Sequence, residues 1–213
     1  MKKNTKTKID EKKINSDILL RSSSHIFSYK LLSIFIVGLI LTLLSFIIDD
    51  SVFRTLTTLR VSSLIFFFSL ITMIGNIEWF VVIVFFILAV FIFKKKKFYS
   101  FIAAIILSGL LSYALKMIIL RPRPFEYFGI PSIIHAILSS FPSGHAMLIF
   151  TLLPFMLKNF PKYKMWFWTI AILVAFSRLY LGVHYLSDVI AGAFIGYMIG
   201  ITFIMLGEKY GWK

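Results

Sequence analysis

Long apolar runs, separated by short basic segments, constrain this chain more than any other feature of its sequence. A bilayer core takes roughly 20 apolar residues in helical form, and a helix satisfies its own backbone hydrogen bonds in lipid. The runs therefore predict an all-α integral membrane bundle of six transmembrane helices. Their predicted bounds are 31–48, 77–93, 98–120, 144–157, 165–181 and 189–206.

The apolar segment 61–74 leaves its placement open. Its 14 residues suit a short interfacial or re-entrant helix better than a span, although 144–157 is equally short. The basic residues decide between these assignments. With six spans, 17 of the 23 Lys and Arg lie on the side of both termini and six on the other, whereas a seventh span would divide the basic segments between the two sides. The sequence therefore predicts six spans plus a short interfacial helix.

The same count predicts the orientation of the chain in the plasma membrane. Basic residues collect on the cytoplasmic side of membrane proteins, so both termini are expected in the cytoplasm. The predicted organisation is a cytoplasmic basic tail over 1–30, a membrane domain over 31–206 and a cytoplasmic tail over 207–213.

The net charge of +14 does not indicate nucleic-acid binding. Most Lys and Arg lie at the ends of apolar runs, where they meet anionic lipid, and no nucleic-acid motif accompanies them. The predicted partner is the lipid bilayer, with no nucleic acid. The chain has no cysteine, which excludes disulfides, thiolate metal sites and a cysteine nucleophile. Nothing in the sequence indicates an oligomeric state.

Charged and imidazole groups converge at the outer ends of several predicted helices. At 1.5 Å per residue, Lys116 lies about 27 Å along the third helix and Arg178 about 20 Å along the fifth. His145 opens the fourth helix, and His184 with Asp188 opens the sixth. Snorkelling to lipid headgroups would account for Lys116 alone, but not for two histidines and an aspartate at the same depth. A functional site is therefore predicted at the outer face.

The residue types suit a phosphate. Lys116, Arg123 and Arg178 can neutralise phosphoryl oxygens, and Arg does so bidentately. The two prolines that flank Arg123 end the third helix and free this side chain to turn inward. Ser143 can cap the fourth helix, and Gly144 allows close backbone approach to an anion at the helix N-terminus.

Two imidazoles supply a nucleophile and an acid. His184 and Asp188 are four residues apart and would share one face of a helix. A carboxylate beside one imidazole nitrogen fixes the tautomer and leaves the other nitrogen free to attack. His145 can protonate the leaving oxygen, and Gly182 ends the fifth helix before His184.

These residues form an ordered pattern. It reads Lys116, six residues, Arg123-Pro124; Pro142-Ser143-Gly144-His145; then Ser177-Arg178, five residues, His184, three residues, Asp188. The pattern resembles the three-part signature of the type-2 phosphatidic acid phosphatase and vanadium haloperoxidase superfamily, with no departure at any signature position.

The resemblance implies a role for each residue. His184 would form a phosphohistidine, Asp188 would orient it, and His145 would act as acid and then activate water. The phosphate-binding groups would be Lys116, Arg123, Ser143, Gly144 and Arg178. Members of this family act without a divalent metal. The residues agree, since Asp188 is the only acidic residue in the constellation and a two-metal site needs several acidic ligands. No cofactor is predicted.

The resemblance also implies a substrate class, a membrane lipid phosphate or diphosphate. A polyprenyl diphosphate such as undecaprenyl diphosphate is favoured, and phosphatidylglycerophosphate or phosphatidic acid is the alternative. Transfer of the phosphoryl group to an acceptor other than water stays open. A rival from another class is a lipid transporter that binds a phosphate headgroup, but its charges would lie nearer the membrane midplane.

Two further features have ordinary interpretations. Arg121 is interpreted as an interfacial anchor, the alternative being a second phosphate contact for a diphosphate. Gly192, Gly196 and Gly200 recur every four residues on the sixth helix, which predicts close packing against another helix.

Overall fold

The described part of the chain is entirely helical. The computed structural model describes residues 3–76, 95–134 and 138–209, with side chains over 31–72, 98–134 and 138–208. The helices are α1 (Lys3–Thr58), α2 (Ser62–Asn76), α3 (Lys95–Ile119), the one-turn α4 (Pro124–Tyr127), α5 (Gly144–Asn159), a 3-10 turn (Pro161–Tyr163), α6 (Lys164–Tyr180) and α7 (Leu186–Lys209). Two compact units divide the chain, Met1–Val37 and Gly38–Lys213. Residues 3–37 of the first unit belong to α1, and the second unit contains every contact described below.

The helices agree in type with the sequence prediction. Three helical stretches in the described chain are long and apolar enough to cross a membrane: Leu31–Thr58, Phe98–Tyr127 and Leu186–Glu208. Helices α5 and α6, predicted as spans, have 16 and 17 residues. The predicted second span, 77–93, lies outside the described residues. Helix α2 is short and apolar, as predicted for the segment 61–74.

The first helix differs from the prediction at its C-terminal end. The apolar run stops at Ile48, but α1 continues through Asp49 and Asp50 to Thr58. Asp49 is buried whereas Asp50 is exposed. A carboxylate is tolerated inside an apolar helix only when it is paired, and the partners of Asp49 lie at the site described below.

Helices α5 and α7 pack closely against each other. The three glycines of α7 face the backbone of α5, and a methyl group at Gly196 would overlap the carbonyl oxygen of Met147. The predicted close packing of this glycine face is therefore confirmed. Phe101 of α3 packs edge-on to Phe155 of α5, with ring centroids 5.3 Å apart, and both are buried with Met147. This core fixes the N-terminus of α5 beside the start of α7.

Candidate active site

His184 lies in the turn between α6 and α7. Helix α6 ends at Tyr180, and Gly182 carries the chain through the turn with a φ of 73°, a conformation that glycine adopts without steric cost. Because α7 begins at Leu186, His184 precedes the helix, and the prediction that it opens the helix is wrong. The turn nevertheless buries His184 and places its Nδ1 3.5 Å from Oδ2 of Asp188 in the first turn of α7.

The carboxylate of Asp188 is fully buried and held from both sides. Its Oδ2 accepts hydrogen bonds from the backbone N–H of Tyr185, at 2.8 Å, and from the Ser140 hydroxyl. Its Oδ1 accepts from Nη1 of Arg121 at 2.7 Å. Rotation of the carboxylate would break these bonds, so Oδ2 stays turned towards Nδ1 of His184. This arrangement favours the tautomer with hydrogen on Nδ1 and leaves Nε2 with a lone pair.

The imidazole of His184 is kept neutral by its surroundings. Burial lowers the pKa of His184 well below its usual range, and the nearby cations Arg178, Arg123 and Lys116 lower it further. A hydrogen bond with the backbone of Ser140 acts in the opposite direction. The structure thus brings all three predicted cations towards the predicted nucleophile, although they lie on different segments of the chain.

Lys116 lies in the last turn of α3 and is buried. Its Nζ donates to the carbonyl oxygens of Ser139, at 2.7 Å, and Ser140, at 3.3 Å. Its own carbonyl accepts from the Ser139 hydroxyl at 2.6 Å. Lys116 therefore does not snorkel towards lipid headgroups; it fixes the loop that contains Ser140 and, through it, Asp188.

Arg123 turns inward after the end of α3. Its backbone is extended, with φ −77° and ψ 155°, as the following Pro124 requires. The guanidinium donates from Nε to the carbonyl of Leu138 at 2.8 Å, and from Nη1 to the carbonyl of Val183 at 2.9 Å. Since Val183 precedes His184, Arg123 ties the loop after α3 to the turn that carries the imidazole.

Arg178 lies in the last turn of α6 and is buried. Its Nη1 contacts the hydroxyl of Thr72, a fully buried residue of α2. The short apolar helix whose placement the sequence left open therefore contributes directly to the orientation of a site cation. This contact explains why a polar side chain lies within that apolar segment.

The N-terminus of α5 meets the first turn of α7. Ser143 occupies the N-cap position, and its backbone N–H donates to the carbonyl of Asp188 at 2.9 Å. The predicted capping bond from its side chain is absent, and the buried hydroxyl has no hydrogen-bond partner among the described residues. A Cβ at Gly144 would lie 3.3 Å from Oγ of Ser112, so the glycine permits this close approach. His145 follows, half-buried, in the first turn of α5.

The interpretation of Arg121 as an interfacial anchor is wrong. Instead of anchoring at the interface, Arg121 forms ion pairs with Asp49, at 2.8 Å, and Asp188, at 2.7 Å. Its guanidinium also lies over the ring of Tyr185, 3.9 Å from the centroid. Burial raises the pKa of Tyr185 to about 12, so the phenol stays protonated beneath this cation.

Sequence reasoning missed three residues that shape the site, Asp49, Thr72 and Ser140, and it interpreted a fourth, Arg121, as an interfacial anchor. One signal was available, because an aspartate at the end of an apolar run needs a partner and marks a candidate for function. Thr72 and Ser140 carry no comparable signal, since small hydroxyl side chains occur throughout membrane helices and loops.

The site offers donors suited to an anion. Within residues 31–72, 98–134 and 138–208, no group of three or more His, Asp or Glu side chains converges in a way that could hold a metal ion. The two acidic side chains at the site, Asp49 and Asp188, already accept several hydrogen bonds each. The described residues thus combine a buried imidazole of lowered pKa with three nearby cations.

The comparison with protein families identifies the class of membrane protein that this fold and site define. Residues 97–212 match the PAP2 superfamily, and the chain belongs to that superfamily. The matched range contains all eight residues that the sequence assigned to the site. The predicted family resemblance is therefore confirmed.

Individual relatives carry the names of several lipid phosphatases. The lipid A 1-phosphatase of Rhizobium etli is 39% identical over 108 residues, which are 47% of each chain. The undecaprenyl-diphosphatase of Sulfolobus acidocaldarius is 31% identical over 121 residues, or 50% of this chain and 52% of the relative. The phosphatidylglycerophosphatase B of Bacillus subtilis is 37% identical over 101 residues, or 42% and 48%. The chain spans about half the length of the curated relatives it matches.

Two solved structures share the fold. A transmembrane PAP2-type phosphatidylglycerolphosphate phosphatase from Bacillus subtilis superposes with a TM-score of 0.71, covering 85% of this chain and 97% of that one at 26% identity. LpxE from Aquifex aeolicus superposes with a TM-score of 0.58, covering 74% of this chain and 95% of that one at 28% identity.

Proposed function

We propose that this chain is a membrane phosphatase that removes phosphate from a lipid phosphate or diphosphate through a phosphohistidine at His184, without a metal cofactor. The observation that carries the proposal is the buried imidazole itself. Burial and three nearby cations lower its pKa and keep it neutral, and its Nδ1 lies beside the Asp188 carboxylate. Membership in the PAP2 superfamily supports the same reaction class.

In the proposed first step, Nε2 of His184 attacks the phosphorus atom of the substrate. The bond from phosphorus to the leaving oxygen breaks as His145, in its protonated form, donates a proton to that oxygen. The Nδ1 hydrogen remains directed at Asp188, whose charge stabilises the cationic phospho-imidazole. The hydroxyl of Ser143 is available to donate to a phosphoryl oxygen.

In the proposed second step, water hydrolyses the intermediate. His145, now neutral, takes a proton from the water whose oxygen attacks phosphorus. The phosphorus–nitrogen bond breaks, inorganic phosphate leaves, and His184 returns to its neutral form. The phosphoryl oxygens stay neutralised throughout by Lys116, Arg123 and Arg178.

For the substrate we propose a polyprenyl diphosphate such as undecaprenyl diphosphate, with support from the undecaprenyl-diphosphatase relative. Phosphatidylglycerophosphate, with phosphatidic acid, is the second candidate, favoured by the structural likeness to the Bacillus subtilis enzyme. We place residues 31–206 in the membrane and both termini, 1–30 and 207–213, in the cytoplasm. The site then faces the extracytoplasmic side, a sidedness supported by the excess of basic residues on the side of the termini.

The test is phosphate release in detergent micelles that contain EDTA. The purified full-length chain and its His184→Ala variant are compared on undecaprenyl diphosphate, phosphatidylglycerophosphate, phosphatidic acid and lipid A. Release by the wild type alone supports the histidine mechanism, and the substrate with the highest kcat/KM identifies the class. Equal release by the variant refutes the proposed nucleophile. Phosphate transfer only in the presence of a second acceptor, or lipid binding without turnover, would favour the phosphotransferase or transporter alternatives.

A further inference from the structure

Asp49 is a buried acid that the proposed reaction does not use. It lies within α1, yet both of its carboxylate oxygens reach the start of α7. Its Oδ1 accepts from the backbone N–H of Ser187 at 2.9 Å, and its Oδ2 accepts from the Ser187 hydroxyl. Asp49 therefore caps the N-terminus of the helix that carries Asp188, from 138 residues earlier in the chain.

Arg121 joins this acid to the acid beside the nucleophile. Its Nη2 donates to Oδ2 of Asp49 at 2.8 Å, and its Nη1 donates to Oδ1 of Asp188 at 2.7 Å. Nη1 also donates to the hydroxyl of Ser187 at 2.7 Å. Two aromatic rings enclose the guanidinium, that of Tyr185 at 3.9 Å and that of Phe46 at 4.8 Å. Ion pairs and stacking together hold the planar guanidinium between the two carboxylates.

This geometry separates Arg121 from the cations that we propose to bind phosphate. Two carboxylates flank its guanidinium and neutralise it, so little positive charge remains for a phosphate. The side chain of Arg123, by contrast, donates its described hydrogen bonds to backbone carbonyls. The alternative sequence interpretation of Arg121, a second phosphate contact, is therefore disfavoured.

We propose that Arg121 and Asp49 are positioning residues, which act on the reaction by holding the Asp188 carboxylate in register with His184. The proposal rests on the proposed phosphohistidine mechanism. Arg121 occupies Oδ1 of Asp188, which leaves Oδ2 for Nδ1 of His184, and Asp49 prevents the guanidinium from swinging away. Through this chain of contacts, α1 becomes part of the catalytic apparatus although it contributes nothing to the three-part signature.

The experiment compares Arg121→Gln, Asp49→Asn and the double variant, with Asp50→Asn as a matched control. Asp50→Asn makes the same chemical change one residue along α1, on an exposed side chain. We measure kcat and KM on the preferred lipid, the amount of phosphoenzyme trapped by acid quench, and the melting temperature. A nucleophile displaced by about 1 Å can lose roughly a hundredfold in rate, so Arg121→Gln should lower kcat by about tenfold to a hundredfold with little change in KM.

The double variant separates positioning from a purely structural role. It removes both charges of the Arg121–Asp49 pair, so no unpaired charge from that pair remains buried and the melting temperature should recover towards that of the wild type. Its kcat should stay as low as that of Arg121→Gln alone, because both residues act through the same contact with Asp188. Recovery of kcat together with stability would show that the pair only supports the fold and would overturn the inference.

Two further outcomes are informative. Should the single variants fail to fold, Ser187→Ala removes a hydroxyl that links the pair without leaving a buried charge, and it should also lower kcat at unchanged KM. An unchanged kcat in Ser187→Ala and the double variant overturns the inference while leaving the proposed function intact, provided His184→Ala is inactive. An active His184→Ala overturns both.

Discussion

Replacing Asp188 by Asn changes the charge beside His184 while keeping the shape of the side chain. In the wild type, Oδ2 accepts from the Tyr185 N–H and the Ser140 hydroxyl, and Oδ1 accepts from Arg121. An amide must turn its NH2 group towards one of these donors, so at least one contact becomes repulsive. Arg121 keeps its ion pair with Asp49, so the partly buried guanidinium retains a counter-charge.

The size of the catalytic effect follows from the separation of the two groups. The Nδ1 of His184 and Oδ2 of Asp188 lie 3.5 Å apart. At an effective dielectric constant of about 20, unit charges at this distance attract by about 4–5 kcal/mol, which corresponds to roughly a thousandfold in rate. The imidazole gains its positive charge only as Nε2 attacks, so the loss should appear in kcat and leave KM nearly unchanged.

The measurement is steady-state and single-turnover phosphate release by Asp188→Asn in EDTA-containing micelles. The control is Glu208→Gln on the same helix, which breaks an exposed ion pair with Lys158 and should leave kcat within about twofold of the wild type. A kcat for Asp188→Asn within tenfold of the wild type would refute the reasoning, because it would show that the carboxylate does not stabilise charge on His184.

Three further predictions follow from particular contacts. Ser143→Ala should leave the melting temperature unchanged, because the buried hydroxyl has no partner among the described residues. It should lower kcat/KM by about tenfold or more, because a hydrogen bond to the phosphate is lost. Unchanged kinetics would count against that bond. Gly196→Ala should lower the free energy of unfolding by about 1–3 kcal/mol, because the added methyl group overlaps the carbonyl of Met147. The control Gly109→Ala, where no atom lies within 4 Å of the added methyl group, should leave it unchanged. Equal melting temperatures for the two variants would contradict the close packing of α5 and α7. The pKa of His184 is lowered in the folded protein, so acidification through about pH 6.5 protonates this imidazole first in the unfolded chain. The free energy of unfolding of the wild type should therefore fall more than that of His184→Gln between about pH 7.5 and about pH 5. Parallel losses in the two proteins would argue against a buried neutral imidazole.

Much of the site could be predicted from the sequence because its signals are local. Apolar runs of sufficient length indicate membrane helices whatever their neighbours are. Two histidines and an aspartate at the same depth as several cations are too costly to be incidental. The spacing of these residues was specific enough to indicate the family, which the match over 97–212 confirms. The turn at Gly182 and the glycine face of α7 also followed from short-range rules and are present in the structure.

The relations between distant segments came only from the tertiary structure. Asp49 lies just beyond the predicted end of the first span, and Arg121 was interpreted as an interfacial anchor, because neither residue has a partner nearby in the sequence. Folding brings Asp49 of α1 within 2.8 Å of the guanidinium and gives this buried carboxylate the counter-ion that its burial requires. The same holds for Thr72, whose contact with Arg178 joins residues 106 positions apart. A sequence pattern indicates the free-energy cost of a charged or polar side chain within its own helix. The packing of the helices decides which partner offsets that cost.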